Sequence, residues 1–285
     1  MTMKIKKFLN QNAVIVDDNG QEKVAVGKGI GFNKNRNDLI FHRDIERLFV
    51  LEPESQMKFQ SLLNQIDEKF LLVSERIVDH AETVLMEELN EHIFISLTDH
   101  LAFAAENIVN GILIRNKLLR EIEVLYNEEF SIAQWAVDYL NEELGIPYSY
   151  DEAGYIAIHL HSARRGRSNN HRSIREVTTI SDIIQLIEDE LEMDIHTDKM
   201  ALNYSRLANH LRLLIQRYHN QQYVVLDDEI VEMVKRKYPE SYEVAKKIRV
   251  LLLKKYQMST TGEELGYLAI HIERLRGTKE ERTTS

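Results

Sequence analysis

The spacing of apolar and polar residues changes along the chain and separates a short first region from a long second one. In residues 1–56 the apolar positions fall in short runs: residues 14–16 lead into the turn sequence Asp-Asp-Asn-Gly at 17–20, and residues 21–26 follow with a period of two. An Asn-Gly step between two such runs is typical of a β-hairpin. The stretch 44–51 predicts a last strand. We therefore predict a small, mostly antiparallel β unit.

From Met57 onward the apolar residues recur at helical spacing, which predicts a helical body. Its first block extends to about residue 165. The polar, basic and glycine-containing stretch 164–172 predicts a linker, and a second helical block is expected from about Ile174 to Arg276. The last residues, 277–285, predict a frayed tail.

The two helical blocks repeat each other. Residues 152–160 (EAGYIAIHL) reappear as residues 264–272 (ELGYLAIHI), with six identical positions of nine at an offset of 112. Farther upstream, the segment LTDHL around His100 corresponds to LANHL around His210. Each block therefore carries two histidines at matched positions. The repeat indicates one helical domain used twice.

The fold class that follows is a multidomain chain. A small antiparallel β domain is predicted over residues 1–56, and two homologous all-α helical-bundle domains over residues 57–169 and 170–285. A β unit of this size has little core, so dimerisation is expected.

Composition narrows the possible functions. The net charge of −10 argues against a protein that coats nucleic acid over its whole surface. The acidity is uneven, because residues 1–57 carry a net charge of +1 and the remainder −11. Without cysteine there are no disulfides or thiolate metal sites, which fits a reducing cytoplasm. We find neither a membrane-length apolar run nor a signal peptide, and we expect no membrane insertion.

The basic N-terminal region contains residue types that suit RNA. Lysines can contact phosphates, amides can contact base edges or the 2′-hydroxyl, and an aromatic ring can stack on a base. The alternating glycines at 27, 29 and 31 predict a bend or a close approach within a strand. The alternative is a small β domain with turn glycines and solvent-facing lysines. The candidate RNA-binding residues are Lys7, Asn10, Asn12, Gly27, Lys28, Gly29 and Phe32.

The four repeated histidines, His100, His159, His210 and His271, are the candidate chemistry of the helical blocks. A neutral imidazole can accept a phosphoryl group, and the new charge can rebalance an interface. Metal binding is the weaker alternative because the HExxH pattern is missing and each segment donates a single histidine. The histidines without a matched position in the other block are interpreted as surface or packing residues.

Taken together, these motifs resemble the BglG/LicT/SacY-type transcriptional antiterminators of bacteria, over essentially the whole chain. The sequences Asn10-Gln11-Asn12 and Gly27-Lys28-Gly29-Ile30-Gly31-Phe32 look like that family's RNA-binding co-antiterminator domain. The helical blocks look like its two regulation domains, which respond to the sugar phosphotransferase system. One departure is Lys28, where the family frequently has arginine, so the bidentate contact of an arginine is lost there.

The resemblance implies a mechanism and a set of partners. The protein would bind a leader-mRNA hairpin as a homodimer and so prevent a terminator from forming. A sugar-specific Enzyme II of the phosphotransferase system would phosphorylate the first domain, at His100 or His159, and silence the protein. The phosphocarrier protein HPr would phosphorylate the second domain, at His210 or His271, and favour the active dimer. The resemblance implies no cofactor, no metal and no catalytic residues, in a cytoplasmic protein.

Two other functions remain open at the level of the sequence. A DNA-binding activator with the same regulation domains would need a helix-turn-helix, whereas residues 1–56 predict strands. A histidine-rich, metal-dependent phosphohydrolase would need ligand spacings that the sequence lacks. We also expect the two histidines of each pair to lie close together.

Overall fold

The computed structural model describes residues 2–9, 11–18, 20–45, 47–49, 66–164, 170–222 and 227–280. It divides into two compact units. The first unit combines residues 1–115 with 132–167, and the second combines residues 116–131 with 168–285. The boundaries predicted for the three domains, near residues 56 and 169, remain predictions.

The N-terminal region of the first unit folds as an antiparallel sheet, as the sequence predicts. Strands β2 and β3 form the expected hairpin, with Asp18 opposite Gln21 across the turn. The order of the strands described is β4-β1-β2-β3-β5. Their bounds are Thr2–Phe8 (β1), Ala13–Asp18 (β2), Gln21–Val26 (β3), Leu39–Phe41 (β4) and Arg47–Phe49 (β5).

Three details of the sheet differ from the sequence-based expectation. Strands β1 and β4 were not predicted. Strand β1 pairs with β2 on one side and with β4 on the other, and the local pattern of apolar residues does not show these partners. The glycine segment lies outside the strand, since β3 ends at Val26 and a series of turns follows. The stretch 44–51 does not begin as a strand, because Asp44 belongs to a 3₁₀ turn at His42–Asp44; β5 is described over Arg47–Phe49.

The helical body is confirmed, with helices α1 to α10 in the ranges that the structure describes. The first unit holds α1 (Glu68–Leu85), α2 (His92–Val109) and α5 (Tyr150–Ala163), with most of α4 (Asn127–Leu144). The second unit holds α3 (Leu119–Leu125), α6 (Asn170–Leu191), α7 (Ala201–His219), α8 (Asp228–Lys237), α9 (Pro239–Tyr256) and α10 (Gly262–Glu280).

Some predicted helix limits were wrong, and others lie outside the described residues. The expected start at Met57 falls among residues that the structure does not describe. Helix α1 begins after Asp67, whose carboxylate caps it by accepting a hydrogen bond from the Lys69 amide at 3.1 Å. Helix α6 begins at Asn170, inside the predicted linker. Helix α10 continues to Glu280, through the predicted start of the frayed tail, because a helical glycine costs only about 1 kcal/mol.

The sheet buries apolar residues on both of its faces. On one face, Met3, Ile5 and Ile40 pack with residues of the following turns. On the other, residues of β2 and β3 pack against Leu71 of α1 and Phe94 of α2. Successive residues of a strand point to opposite faces, so β2 contributes to both clusters. In the first unit, the sheet is therefore packed directly on helix α2, which carries His100.

Candidate functional site

The first histidine pair lies between two packed helices of the first unit. His100 comes from α2 and His159 from α5, and their ring centroids are 5.2 Å apart. The hydroxyl of Ser96 lies 3.3 Å from Nδ1 of His159. The ring of Tyr155 lies 5.6 Å from His100. The expectation that the two histidines of this pair lie together is confirmed.

The second pair repeats that frame in the second unit. His210 of α7 and His271 of α10 stack with their ring centroids 4.7 Å apart. Tyr267 lies 5.9 Å from His210, in the place that Tyr155 takes in the first unit. The repeat read from the sequence is therefore also a repeat of three-dimensional positions.

A buried glutamate completes each pair, and the two glutamates have different partners. Glu152 Oε2 lies 3.0 Å from His100 Nε2. Among the residues that the structure describes, neither of these atoms has a hydrogen-bond partner, so the contact is close but poorly aligned. Both glutamates stand in the first turn of their helix, where the helix dipole favours a negative charge.

The glutamate of the second site, Glu264, is held by an arginine. Arg217 donates to it through Nε at 2.8 Å and through Nη2 at 2.9 Å, a bidentate contact. His210 Nε2 is then 3.8 Å from Glu264, farther than in the first site. The position of Arg217, seven residues after the histidine, is occupied by Asn107 in the first unit. Asn107 Nδ2 is buried, and it has no hydrogen-bond partner in the described part of the chain.

The surroundings of His159, His210 and His271 favour the neutral imidazole. Burial, together with neighbouring His100, lowers the pKa of His159 to about 3. Burial, His271 and Arg217 lower the pKa of His210 to about 3. Burial, Arg274 and Arg206 also lower the pKa of His271. A neutral ring keeps a nitrogen lone pair available at physiological pH, which nucleophilic attack on phosphorus requires.

Sequence reasoning missed several neighbours of the histidines. Glu152 and Glu264 belong to the repeated segments but are not among the candidate site residues. Ser96 and Arg217 were not considered. The helical spacing could have shown both, because they stand one turn before His100 and two turns after His210 on the same helices.

Five of the N-terminal candidates lie in two loops of the sheet, residues 11–12 and 27–32, which hydrogen bonds join (the joined loops). The Gly27 amide donates to the Asn12 carbonyl at 2.9 Å, and the Gly31 amide donates to the Gln11 carbonyl at 2.8 Å. The side-chain oxygen of Asn12 accepts from the Gly29 amide. Gly29 has a φ of +67°, a conformation that favours glycine. Asn12 is buried, and its hydrogen bonds to the amides of Gly27 and Gly29 hold the two loops together.

Most of the N-terminal candidates are exposed at the surface. Lys7, Lys28 and Gly29 are exposed, whereas Gly27 is buried. The ring of Phe32 is 58 % exposed, which leaves it available for stacking on a base. Asn10 lies outside the described residues.

Two kinds of feature are missing from the described ranges. No helix within them is long and apolar enough to cross a membrane. In the same ranges, no group of three or more histidine, cysteine, aspartate or glutamate side chains is arranged to hold a metal ion.

Comparison with known proteins adds to this geometry. The model of the CAT RNA-binding domain matches residues 3–58, and the model of the PRD domain matches residues 75–163 and 181–275. Both histidine pairs fall within the PRD matches, and the two joined loops fall within the CAT match. The crystal structure titled GlcT CAT-PRDI has a TM-score of 0.55 and 38% sequence identity to this chain. The match covers 58% of this chain and all of that one.

Similar proteins extend the match to nearly the full length. The transcription antiterminator LicT of Bacillus subtilis is 34% identical over 277 residues, which are 96% of this chain and 99% of that protein. The beta-glucoside operon antiterminator of Dickeya chrysanthemi is 35% identical and covers 99% of both chains. These matches span nearly the whole chain, so the chain belongs to the family of transcription antiterminators that join a CAT RNA-binding domain to two PRD domains.

Proposed function

We propose that this protein is an RNA-binding transcription antiterminator of a sugar-uptake operon, controlled by phosphorylation of its paired histidines. The observation that carries the proposal is the full-length match to antiterminators, with the histidine pairs and the joined loops inside the matched domains. The protein would act in the cytoplasm as a homodimer and would turn over no metabolite.

The joined loops of the sheet are the proposed RNA contact. Lys28 and Lys7 supply cations for phosphates, and the exposed ring of Phe32 supplies a stacking surface for an unpaired base. Asn12 has a different role from the one that its residue type suggests. Its amide oxygen holds the Gly29 amide and so fixes the shape of the loop. We expect it to position the RNA-binding surface.

Binding would act on a hairpin in the leader of the nascent messenger RNA. That hairpin overlaps a terminator, so the RNA cannot form both structures at once. A dimer that holds the hairpin would let the polymerase continue into the operon. Residues 2–49, where described, form strands and turns, and this favours RNA over the DNA-binding activator, which would need a helix-turn-helix.

Phosphoryl transfer is the proposed chemistry of the histidine pairs. The ring nitrogen of a neutral histidine attacks the phosphorus of a phosphorylated side chain on the donor protein. A phosphorus–nitrogen bond forms, the bond from phosphorus to the donor side chain breaks, and the proton displaced from the accepting ring goes to that side chain. The donor of the first pair would be the sugar-specific Enzyme II, and that of the second the phosphocarrier protein HPr.

The spacing of each pair gives phosphorylation a structural effect. A phosphoryl group adds a charge of about −2 at neutral pH. Because the two ring centroids of each pair are about 5 Å apart, a phosphoryl group on one histidine would lie close to the other histidine. In the first site it would also meet the buried carboxylate of Glu152, 3.0 Å from His100. Phosphorylation would therefore shift the population between arrangements of the dimer.

In vitro transcription tests the proposal directly. The template carries the leader and terminator of the nearest sugar-uptake operon, and the readout is the fraction of full-length transcript. We expect the purified chain to raise that fraction and the Phe32→Ala variant to fail. A wild-type chain that leaves termination unchanged would overturn the proposal. Metal analysis of the same preparation tests the phosphohydrolase alternative, since stoichiometric metal would support that reading.

A further inference from the structure

The two histidine sites differ in charge at three corresponding positions. Counting along the repeat, the second site has arginine at each of three places where the first has a neutral polar residue. The pairs of positions are Arg206 and Ser96, Arg217 and Asn107, and Arg274 and Ser162.

The three arginines of the second site have different surroundings. Arg217 pairs with Glu264 and neutralises the carboxylate beside His210. Arg206 stands four residues before His210 on α7, and Arg274 stands three residues after His271 on α10. These spacings put each arginine on the same helix face as its histidine, and both arginines are exposed. Consistent with this placement, both arginines lower the pKa of His271 after the larger effect of burial.

The first site has neutral residues at the three corresponding positions. The one that corresponds to Arg206 is Ser96, whose hydroxyl lies 3.3 Å from Nδ1 of His159. In the part of the chain that the structure describes, Glu152 forms no ion pair with an arginine. A phosphoryl group on His100 or His159 would therefore sit beside an uncompensated carboxylate.

We propose that Arg206 and Arg274 bind the phosphoryl group carried by the second histidine pair, so that this site retains its modification longer than the first site. The inference rests on the proposed function, because it requires that the histidines accept phosphoryl groups. The ligand class is the dianionic phosphoryl group of a phosphohistidine. Arg206 and Arg274 are positioning residues, and the attacking group is the histidine.

The chemistry of phosphohistidine explains the difference in lifetime. Hydrolysis breaks the phosphorus–nitrogen bond, adds water to phosphorus and returns a protonated ring nitrogen with inorganic phosphate. The step is fastest when the ring of the phosphohistidine is protonated, because a protonated nitrogen is the better leaving group. Nearby guanidinium groups disfavour that protonation and also bind the phosphoryl oxygens. A nearby carboxylate, as in the first site, favours the protonation.

The test measures how long each site keeps a phosphoryl group in the intact chain. Potassium phosphoramidate, a small donor that transfers its phosphoryl group and releases ammonia, labels the histidines without any partner protein. After the donor is removed at pH 7.5, peptide-level mass spectrometry follows the loss of phosphate from each pair. We expect R206Q/R274Q to lose phosphate from the second pair about five-fold faster than the wild type. Loss from the first pair should be unchanged.

A matched variant separates local binding from net charge. R236Q/R249Q removes two exposed arginines from α8 and α9, the same change in charge, and should leave both lifetimes unchanged. The reciprocal variant S162R places a cation at the first site and should lengthen the lifetime there. Equal lifetimes for wild type and R206Q/R274Q would overturn the inference, as would an equal effect of R236Q/R249Q.

Labelling with a second phosphoryl donor distinguishes a failure of this inference from a failure of the proposed function. Phosphorylation through HPr, with phosphoenolpyruvate as the source, tests whether the second pair is a natural acceptor. Labelling by phosphoramidate but not by HPr would count against the proposed donor, and the lifetimes would still decide the role of the arginines. A wild-type chain labelled by neither donor would overturn both.

Discussion

The two histidine sites are built on one frame and surrounded by different charges. In both, two histidines from packed helices lie about 5 Å apart, with a tyrosine beside them and a glutamate beneath them. In the first site the glutamate faces His100 with poor hydrogen-bond geometry. In the second site Arg217 holds the glutamate, and two more arginines stand nearby. The two repeats share the positions of the histidine rings and differ in the charges around them.

That difference shows how one chemical event can have opposite effects in one chain. A phosphoryl group placed beside an unpaired carboxylate raises the electrostatic energy of its site, which favours rearrangement. The same group placed among arginines is partly neutralised, which favours the existing arrangement. The sign of the response therefore depends on a few side chains around the acceptor histidines.

The largest expected effect comes from a fixed negative charge at each site in turn. The carboxylate of His100→Asp would add to that of Glu152, so we expect read-through to fall about fifty-fold, within the range of allosteric couplings. His210→Asp places its charge near Arg217, Arg206 and Arg274, and read-through should stay close to the wild-type level or rise. A reporter gene behind the leader measures both. Constitutive read-through by His100→Asp would contradict the role assigned to the first pair.

A smaller contrast is expected when each buried glutamate is neutralised. Glu264→Gln leaves Arg217 without its charged partner, and because that arginine is partly exposed we expect a cost of about 2 kcal/mol in unfolding free energy. Glu152→Gln removes a carboxylate whose Oε2 makes no hydrogen bond, so its effect should stay within about 0.5 kcal/mol. Urea unfolding measures both. Fluorescence of Trp135, the single tryptophan, follows the first unit, and circular dichroism follows the helices of both.

Acid should destabilise both units through their buried histidines. The folded pKa values of His159 and His210 are about 3, below the ordinary value of 6.5, so between these pH values the unfolded chain binds more protons. Stability is therefore full above about pH 6.5 and falls as the pH drops, by up to about 1.4 kcal/mol per pH unit for each histidine. Urea midpoints at pH 7.5 and 5.5 test this. His159→Gln should flatten the response of the first unit only; an unchanged slope would show that other groups cause it.

The smallest expected effect comes from giving the first site the arginine of the second. Asn107→Arg would place a guanidinium where the buried Nδ2 of Asn107 has no hydrogen-bond partner, within reach of Glu152 if the geometry of the repeat holds. We expect the first unit to gain about 0.5 kcal/mol in unfolding free energy. Trp135 fluorescence in urea measures the gain. A loss of stability would mean that the two sites are less alike than their shared frame suggests.

The sequence predicted the parts that depend on local pattern or on the repeat. The hairpin at residues 13–26 and the helical body follow from spacing, and the structure confirms them. The structure also confirms the approach of His100 to His159, which was expected together with the family resemblance. The pairing of β1 with β4 could not be predicted from spacing, because it joins segments far apart along the chain, with Thr2 opposite Phe41. The same holds for Asn12, whose residue type suits RNA but whose amide is used within the protein.

The charged side chains around the histidines could not be predicted from either repeat alone. Arg217 is 47 residues from Glu264 along the chain, and only the packing of α7 on α10 brings them together. Once two repeats are aligned on their histidines, however, the exchange of Asn107 for Arg217 can be read directly from the sequence. A duplicated domain thus supplies an internal comparison that a single domain does not.

The most direct test of the account is a binding titration of the full chain with the leader RNA hairpin. The DNA version of the same sequence is the control for nucleic-acid type. Phe103→Ala, which truncates a phenylalanine as exposed as Phe32, is the control for Phe32→Ala. The account predicts tight binding of RNA but not DNA, a loss of at least about ten-fold in Phe32→Ala, and wild-type affinity in Phe103→Ala. Equal affinity for RNA and DNA, or no binding of either, would contradict it.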